Sequence, residues 1–336
     1  MRILVASDAS PPQVNGVVHT LSRTLAELRR MGHQAGMVTS DGLRTVPCPS
    51  YPQIRLALRP GRAVAEAIER FAPDALHIAT EGPIGLAARR HALRTRRPFS
   101  TAFHTRFPEY VQARTGLPQS LCYRYLRWFH DPAEHVMVAT PAMLEELRRE
   151  GFSNAALWGR GVDLELFSQG ASTLFDRLPR PVFLSVGRVA VEKNLEAFLS
   201  LDLPGSKVVI GDGPELPRLR ARHPQAHFLG AVEHSRLPPY YRAADVFVFP
   251  SRTDTFGLVM LEAMACGLPV AAYPVPGPKD VVDHLRSGVL DVDLHAACLA
   301  ALHLPRSEAR AWAARFGWEA ATRQFCASLA VRRMPS

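Results

Sequence analysis

The sequence predicts two parallel α/β domains in tandem, each a sheet covered by helices. Three observations carry this reading. Short apolar, partly β-branched runs alternate with amphipathic helical runs along both halves of the chain, the pattern of a parallel sheet. The alternation is broken once, by a turn-rich stretch over residues 165–181. The length of 336 residues makes two domains at roughly 100–200 residues each. Open α/β sheets bind ligands at the carboxyl ends of their strands, so the expected site is a cleft in which the two domains face each other.

Residues 3–6 form the first strand. The loop after it holds Pro11, Pro12, Asn15 and Gly16. Val17, Leu21, Leu25 and Leu28 then recur at helical spacing, in a helix that ends near Gly32. Strand 34–38 follows. The alternation continues with helix 61–71, strand 75–79, helix 82–95, strand 99–103, helix 118–130, strand 135–139 and helix 141–150. The stretch from Glu165 to Pro181 is rich in turn formers and reads as the linker. The pattern restarts with strand 182–187, helix 193–201, strand 206–210, helix 214–222 and strand 226–229. Helix 235–243, strand 245–249, helix 256–266 and strand 269–272 complete it, and the last 45 residues read as helical. The domains are therefore placed at residues 1–168 and 176–318.

Composition narrows the class. Apolar residues are 47% and charged residues 21%, which fits a packed protein rather than a disordered one. No run approaches 18 apolar residues, and the first residues reach Asp8 without the long apolar core of a signal peptide. The cytoplasm is the expected compartment. Five scattered cysteines with no C-x-x-C argue against a disulfide framework or a cysteine zinc site. His223 and His227 have metal-pair spacing, but Pro224 between them opposes the helix it needs. No metal is expected. The net charge is +9, with three lysines and 37 arginines. Nine of those arginines lie within residues 89–127 against one acid, Glu109. Such a patch suits the phosphates of a nucleotide, a nucleic acid or an anionic lipid, or is a solvated basic face.

The most informative stretch is Pro250-Ser251-Arg252-Thr253-Asp254-Thr255-Phe256-Gly257, which leads from a buried strand into a helix carrying Glu262. Thr253, Thr255 and Gly257 present backbone N–H groups at a helix start, where anions bind. Eight residues at helical rise put the Asp254 and Glu262 carboxylates roughly 12 Å apart, beyond the ~5–9.5 Å of paired glycosidase carboxylates. They suit hydroxyls at the two ends of one long ligand, or are simply an N-cap and a surface acid. Upstream, Arg188 and Lys193 follow another strand and are spaced to meet one diphosphate. Gly211-Asp212-Gly213 is a turn that could approach a base.

The absence of G-x-G-x-x-G after the first strand, of a P-loop motif and of G-x-S-x-G argues against a dinucleotide dehydrogenase, a P-loop NTPase and a serine hydrolase. In the first half, Gly16 permits close backbone approach to a phosphate. His104, Arg106 and Tyr110 follow strand 99–103 in a stretch of interleaved aromatics, and Glu81 ends strand 75–79 on the same edge.

Together these segments resemble the family-4 retaining glycosyltransferases of GT-B fold. The family's E-x7-E signature, P-S-x-x-E-G-F-G-L-x-x-L-E-A-M-A-x-G, reads here from Pro250 to Gly267 with Asp254 for the first Glu. G-R-x-x-x-E-K-N is present from Gly187 to Asn194. Arg160-Gly161-Val162-Asp163 is similar to the G-V-D turn, with Arg where Asn is common. Phe316-Gly317-Trp318-Glu319 is similar to the late F-x-W-E. The details resemble the branch of mannosyl-, glucosyl- and sulfoquinovosyltransferases that act on lipids.

The resemblance implies roles. Arg188 and Lys193 would bind the donor diphosphate, with Gly16 near the phosphates. Glu262 would hold the ribose. Asp254 would hold the sugar hydroxyls beside the N–H groups of Thr255, Phe256 and Gly257. Gly211 belongs to the same donor site. His104 would line the sugar near the anomeric carbon, and Glu81, Arg106 and Tyr110 would face the acceptor. It implies an N-terminal acceptor domain, a C-terminal donor domain, and a last helix, 319–336, that packs back on the first. The expected activity is metal-independent transfer of a hexose, with retention, from a UDP- or GDP-sugar such as GDP-mannose to a lipid such as diacylglycerol. The expected location is the inner face of a membrane, with no nucleic-acid partner. Transfer to a soluble or polysaccharide acceptor and nucleotide-sugar epimerisation on the same fold are the alternatives.

Overall fold

The computed structural model describes residues 1–13, 15–48, 51–104, 116 and 118–332. The chain forms two compact units, Met1–Gly159 with Trp318–Ser336, and Arg160–Gly317.

The first unit contains strands β1 (Arg2–Ala6), β2 (Gln34–Val38), β3 (Thr45–Cys48), β4 (Tyr51–Ala57), β5 (Ala75–Ile78), β6 (Ser100–Phe103), β7 (Val136–Val138) and β8 (Ala155–Leu157). Six of them make a parallel sheet in the order β2-β1-β5-β6-β7-β8, and β3 and β4 form a separate antiparallel ribbon. Its helices are α1 (Gly16–Arg30), α2 (Gly61–Phe71), α3 (Pro83–Arg94), α4 (Gln119–His130) and α5 (Pro141–Arg149).

The second unit contains β9 (Val182–Val186), β10 (Ser206–Ile210), β11 (His227–Gly230), β12 (Val246–Phe249), β13 (Val270–Ala272) and β14 (Gly288–Leu290), parallel in the order β11-β10-β9-β12-β13-β14. Its helices are α6 (Leu195–Leu199), α7 (Leu216–Arg222), α8 (Pro238–Ala243), α9 (Leu258–Ala265), α10 (Pro278–Val281), α11 (Leu294–Ala301) and α12 (Arg306–Ala313). The last helix, α13 (Trp318–Ala327), belongs to the first unit.

Side-chain alternation sorts the first sheet's two faces. Ile3 and Val5 join Leu21, Leu25, Leu28 and Phe325 in one core, so α1 and α13 cover that face. Leu4 and Ala6 join Val64, Ile68, Ile84 and Ala88 in the other, so α2 and α3 cover the opposite face. In the second unit every residue of β9 and β12 is buried, as expected for central strands of a sheet covered on both sides.

The structure departs from the sequence reading in several places, among them helix 235–243, which is a 3-10 turn at His234–Arg236 followed by α8 at Pro238–Ala243, and the last helix, placed at 319–336, which ends at Ala327. The boundary expected at residue 168 lies at Gly159, because the following residues are tied into the second unit. Arg310 donates to Phe167 O at 2.7 Å and Leu164 O at 3.2 Å, and Arg242 Nε donates to Ser168 O at 2.6 Å. The helix expected over 193–201 is a 3-10 turn at Val191–Lys193 followed by α6, because Asn194 between them is left-handed (φ 52°). The β3–β4 ribbon, β8 and β14 were not anticipated. The helix expected over 256–266 begins at Leu258. Half of the eight steps from Asp254 to Glu262 are therefore loop, and the axial estimate of their separation does not hold.

One buried acid organises the first sheet's switch point, between β1 and β5. Asp8 is 4% exposed. Its Oδ1 accepts from Ile84 N at 2.9 Å, and its Oδ2 accepts from Thr80 Oγ1 at 2.8 Å and Gly85 N at 3.3 Å. A side chain from one strand-end loop thus satisfies the open amides at the start of α3. Burial raises its pKa above the ordinary 3.8, against the lowering effect of these hydrogen bonds. The folded chain then keeps this proton after the unfolded chain has lost it, so the group's contribution to stability falls as pH rises through that interval. Asp8→Ala should lower stability to urea by about 1–2 kcal/mol. It should also flatten the decline in stability just above pH ~4, read from urea midpoints across pH.

Candidate active site

The second unit has the 3-2-1-4-5-6 strand order of doubly wound nucleotide-binding sheets, whose switch point lies between β9 and β12. Two of the motif segments leave the carboxyl ends of these neighbouring strands. The loop after β9 carries Gly187, Arg188 and Lys193, and the loop after β12 carries Pro250 to Gly257.

Backbone contacts fix the first loop. Gly187 N donates to Ile210 O at 2.9 Å, Val189 N to Asp212 O at 2.9 Å, and Glu215 N to Val189 O at 3.1 Å. The β9–β10 pairing therefore continues past the strands. Gly211 has φ +144°, and a Cβ there would stand 1.8 Å from Gly187 O. Only glycine fits this approach. The two motif loops are also bonded to each other, Asn194 Nδ2 donating to Pro250 O at 3.0 Å and Ser251 Oγ to Glu192 O at 3.2 Å.

This frame brings Lys193 and Asp254 together. Lys193 Nζ lies 2.5 Å from Asp254 Oδ1, in a pair whose side chains are 27% and 16% exposed. The other oxygen, Asp254 Oδ2, and the Thr253 hydroxyl are buried with no hydrogen-bond partner among the described residues. Buried polar atoms cost free energy unless something bonds them, which sets these two apart from the bonded groups around them. Arg188 is half-buried on the adjoining loop. Thr255, Phe256 and Gly257 lead into α9, which starts at a left-handed Gly257 with no side-chain cap.

Glu262 stands elsewhere on the same motif. It is 5% exposed on α9, between buried Leu261 and Ala263. His234 Nε2 lies 2.8 Å from its Oε1, and Tyr241 Oη donates to its Oε2 at 3.0 Å. Burial, followed by the nearby Glu262 charge, holds the Tyr241 pKa well above 10, so the phenol keeps its proton and donates. His234 and Tyr241 were not found by sequence reasoning, and Thr253 was read there for its backbone N–H and not for its hydroxyl. Nothing in the spacing of His234 and Tyr241 links them to the motif, from whose Glu262 they stand 28 and 21 residues away.

The first-half residues are placed separately. Gly16 is the first residue of α1, behind an Asn15 cap whose side chain accepts from Val18 N at 3.0 Å, and a Cβ on Gly16 would meet no protein atom within 4 Å. His104 ends the described part of its segment, its ring edge-on to the buried Trp158 at 5.6 Å. Glu81 Oε1 lies 3.3 Å from Nε2 of the fully buried His130, and Glu81 O accepts from Tyr125 Oη at 3.0 Å. Arg106 and Tyr110 lie outside the described residues. The G-V-D turn and the late F-x-W-E segment meet, Val162 N donating to Phe316 O at 2.9 Å. Burial pushes Arg160 in that turn down to about 9.

The basic stretch is partly inverted. Arg89 donates to Phe129 O and Trp128 O and stacks 4.1 Å over the Trp128 ring, Arg97 donates to Pro73 O, and Arg127 to Glu150 O. Tyr123 and Phe129 are core residues. Arg90, Arg94, Arg96 and Arg124 are exposed, while Arg106, Glu109 and Arg114 lie outside the described residues.

Gly211→Ala should destabilise the second unit by at least about 2 kcal/mol, because the backbone strain and the clash with a carbonyl cannot both relax. The lowered urea midpoint of that unit would show it.

Two family models match the chain, "Glycosyltransferase Family 4" over residues 14–166 and "Glycosyl transferases group 1" over residues 180–304. The GDP-mannose-dependent alpha-mannosyltransferase of Mycobacterium tuberculosis is 30% identical over 86% of this chain and 83% of its own. Sulfoquinovosyl transferase SQD2 of Arabidopsis thaliana is 31% identical over 85% and 62%, and the alpha-monoglucosyldiacylglycerol synthase of Streptococcus pneumoniae 27% identical over 90% and 78%. Among solved structures, Anabaena HepE with UDP and glucose superposes with TM-score 0.73 at 18% identity over 98% and 99% of the two chains. Sucrose-phosphate synthase of Thermosynechococcus elongatus gives 0.77 at 20% identity over 97% of each. Two parallel Rossmann-like units with these motifs and relatives make the chain a GT-B enzyme that transfers a sugar from a nucleotide sugar, and it belongs to glycosyltransferase family 4.

Proposed function

We propose that the enzyme moves a hexose, with retention and without a metal, from a nucleoside diphosphate sugar to a lipid acceptor at an anionic membrane surface on the cytoplasmic side. The donor would lie at the β9–β12 switch point. Lys193 and Asp254 pair with each other. A diphosphate would offer the ammonium and Arg188 a stronger, charge-assisted partner, releasing Asp254 for the sugar hydroxyls beside Thr253. Amides from Thr255 to Gly257 would face the same ligand, and Gly211, whose own amide donates to Gly230 O at 2.8 Å, would line it through its backbone. Gly16, which the packing of the chain does not require to be glycine, leaves room for a phosphate. Glu262 would take the ribose. His104 would lie near the anomeric carbon, with Glu81, Arg106 and Tyr110 towards the acceptor.

In the step itself the bond between the anomeric carbon and the phosphate oxygen breaks as the acceptor hydroxyl attacks from that same face. The acceptor's proton passes to the departing phosphate oxygen. Arg188 and Lys193 stabilise the negative charge that grows on the leaving group. A metal is dispensable in this scheme because two fixed cations perform that role.

The observation that carries the lipid reading is a stripe on α4. Leu121, Tyr125 and Trp128 recur at helical spacing and are 43%, 38% and 52% exposed. Exposed Arg124 lies beside them. An apolar stripe ending in aromatic rings and flanked by arginine suits the headgroup region of an anionic bilayer. Nearby in sequence, a groove of about 710 Å³ between α2 and α3 has Pro83, Leu86 and Ala87 in its lining and Arg59, Arg90 and Arg94 around them. No helix among the described residues is long and apolar enough to cross a membrane, so contact through such a face is the mode this reading requires. The relatives named for mannosyl, sulfoquinovosyl and monoglucosyldiacylglycerol transfer support the substrate class.

Turnover of UDP- and GDP-sugars with diacylglycerol in vesicles tests the reaction. In buffer with a chelator the native enzyme should keep its rate. Arg188→Ala should lose about 100-fold or more in kcat, and near-native turnover by this variant would remove the charge-stabilisation argument. Flotation should show binding to vesicles containing phosphatidylglycerol and little binding to phosphatidylcholine alone. A Leu121→Ser, Trp128→Ser double variant should lose most of the binding, while equal binding to both vesicles would remove the membrane reading.

A further inference from the structure

Glu262 presents a problem that the family motif alone does not solve. A carboxylate on an almost wholly buried helix must be held in one rotamer to meet a ligand, and it must be hydrogen-bonded to remain there at all. The neighbouring elements of the unit supply both. His234, on the 3-10 turn His234–Arg236 after β11, meets Oε1 through Nε2 at 2.8 Å. Tyr241 on α8 donates to Oε2 at 3.0 Å. Phe167 backs both rings edge-on, 5.1 Å from His234 and 6.0 Å from Tyr241. Among the described residues each oxygen therefore has one side-chain partner. An ionised carboxylate has about four acceptor positions, so about two remain, matching the two donors of a vicinal diol.

We propose that His234 and Tyr241 are positioning residues that clamp Glu262 so that its remaining lone pairs receive the 2′- and 3′-hydroxyls of the donor ribose. The inference rests on the reading that Glu262 binds ribose, and goes beyond it by assigning the grip to three residues from three elements. Tyr241 is fully buried and fixes the depth of the carboxylate. His234, whose side chain is 36% exposed, closes its outer side.

The test is calorimetric titration with UDP and GDP and with their 2′,3′-dideoxy forms, which lack the diol. The native chain should prefer whichever ribonucleotide it binds over its dideoxy form by about tenfold or more. His234→Phe and Tyr241→Phe should each reduce that preference several-fold while changing dideoxy affinity by less than about twofold, as a coupling between clamp and diol requires. His234→Gln, whose amide can donate from near the Nε2 position, should restore the preference. Equal weakening of both forms would make the two residues merely structural and overturn the proposal, as would an unchanged preference in both Phe variants. A native chain that binds nucleotide without preferring the ribose form would overturn the ribose role of Glu262 and the clamp with it. Binding of neither UDP nor GDP would overturn the donor assignment itself.

Discussion

The approach of two strand-end loops at Gly211 governs the rest of the candidate site. Without a side chain at that position the β9 loop lies directly on the β10 loop, carbonyl against Cα, and the sheet's hydrogen bonding continues beyond its last strand residues. Arg188 and Lys193 then rise from a segment whose backbone is already spoken for. Asn194 and Ser251 carry the same rigidity across to the β12 loop. Charged groups held this way need little reorganisation when a ligand arrives, which is the condition under which they contribute most to catalysis.

The Lys193–Asp254 pair contributes little to stability. Partly exposed ion pairs contribute only about 0–1 kcal/mol, and among the described residues this one leaves Asp254 Oδ2 and the neighbouring Thr253 hydroxyl without a hydrogen-bond partner.

Much of this architecture was legible in the sequence. Strands 34–38 and 206–210 and helix 61–71 were read with the bounds they have, each starting just after a Gly or Pro: Gly32, Gly205 and Pro60. The β3–β4 ribbon escaped because Pro47 and Pro52 interrupt its strands, and β8 and β14 escaped because three residues show no period. Lys193 and Asp254 were legible through their motifs. Their direct contact was not, since it depends on how two loops 61 residues apart are bonded. His234 and Tyr241 reach Glu262 across 28 and 21 residues, a pairing set by helix packing and by no local rule. Charge counting misjudged Arg89, Arg97 and Arg127, because a tally of residues does not show which way a long side chain turns.

The two sheets repeat one architectural plan, and each has a crevice where its strand order reverses. In the first, Asp8 fills that position and occupies the amides at the start of α3 with the chain's own negative charge. In the second, the corresponding position carries an arginine and a lysine. A duplicated fold offers an incoming polyanion two look-alike berths. Here a single acid stoppers one of them, so the pseudo-symmetry of the backbone is cancelled by the side chains before any substrate arrives.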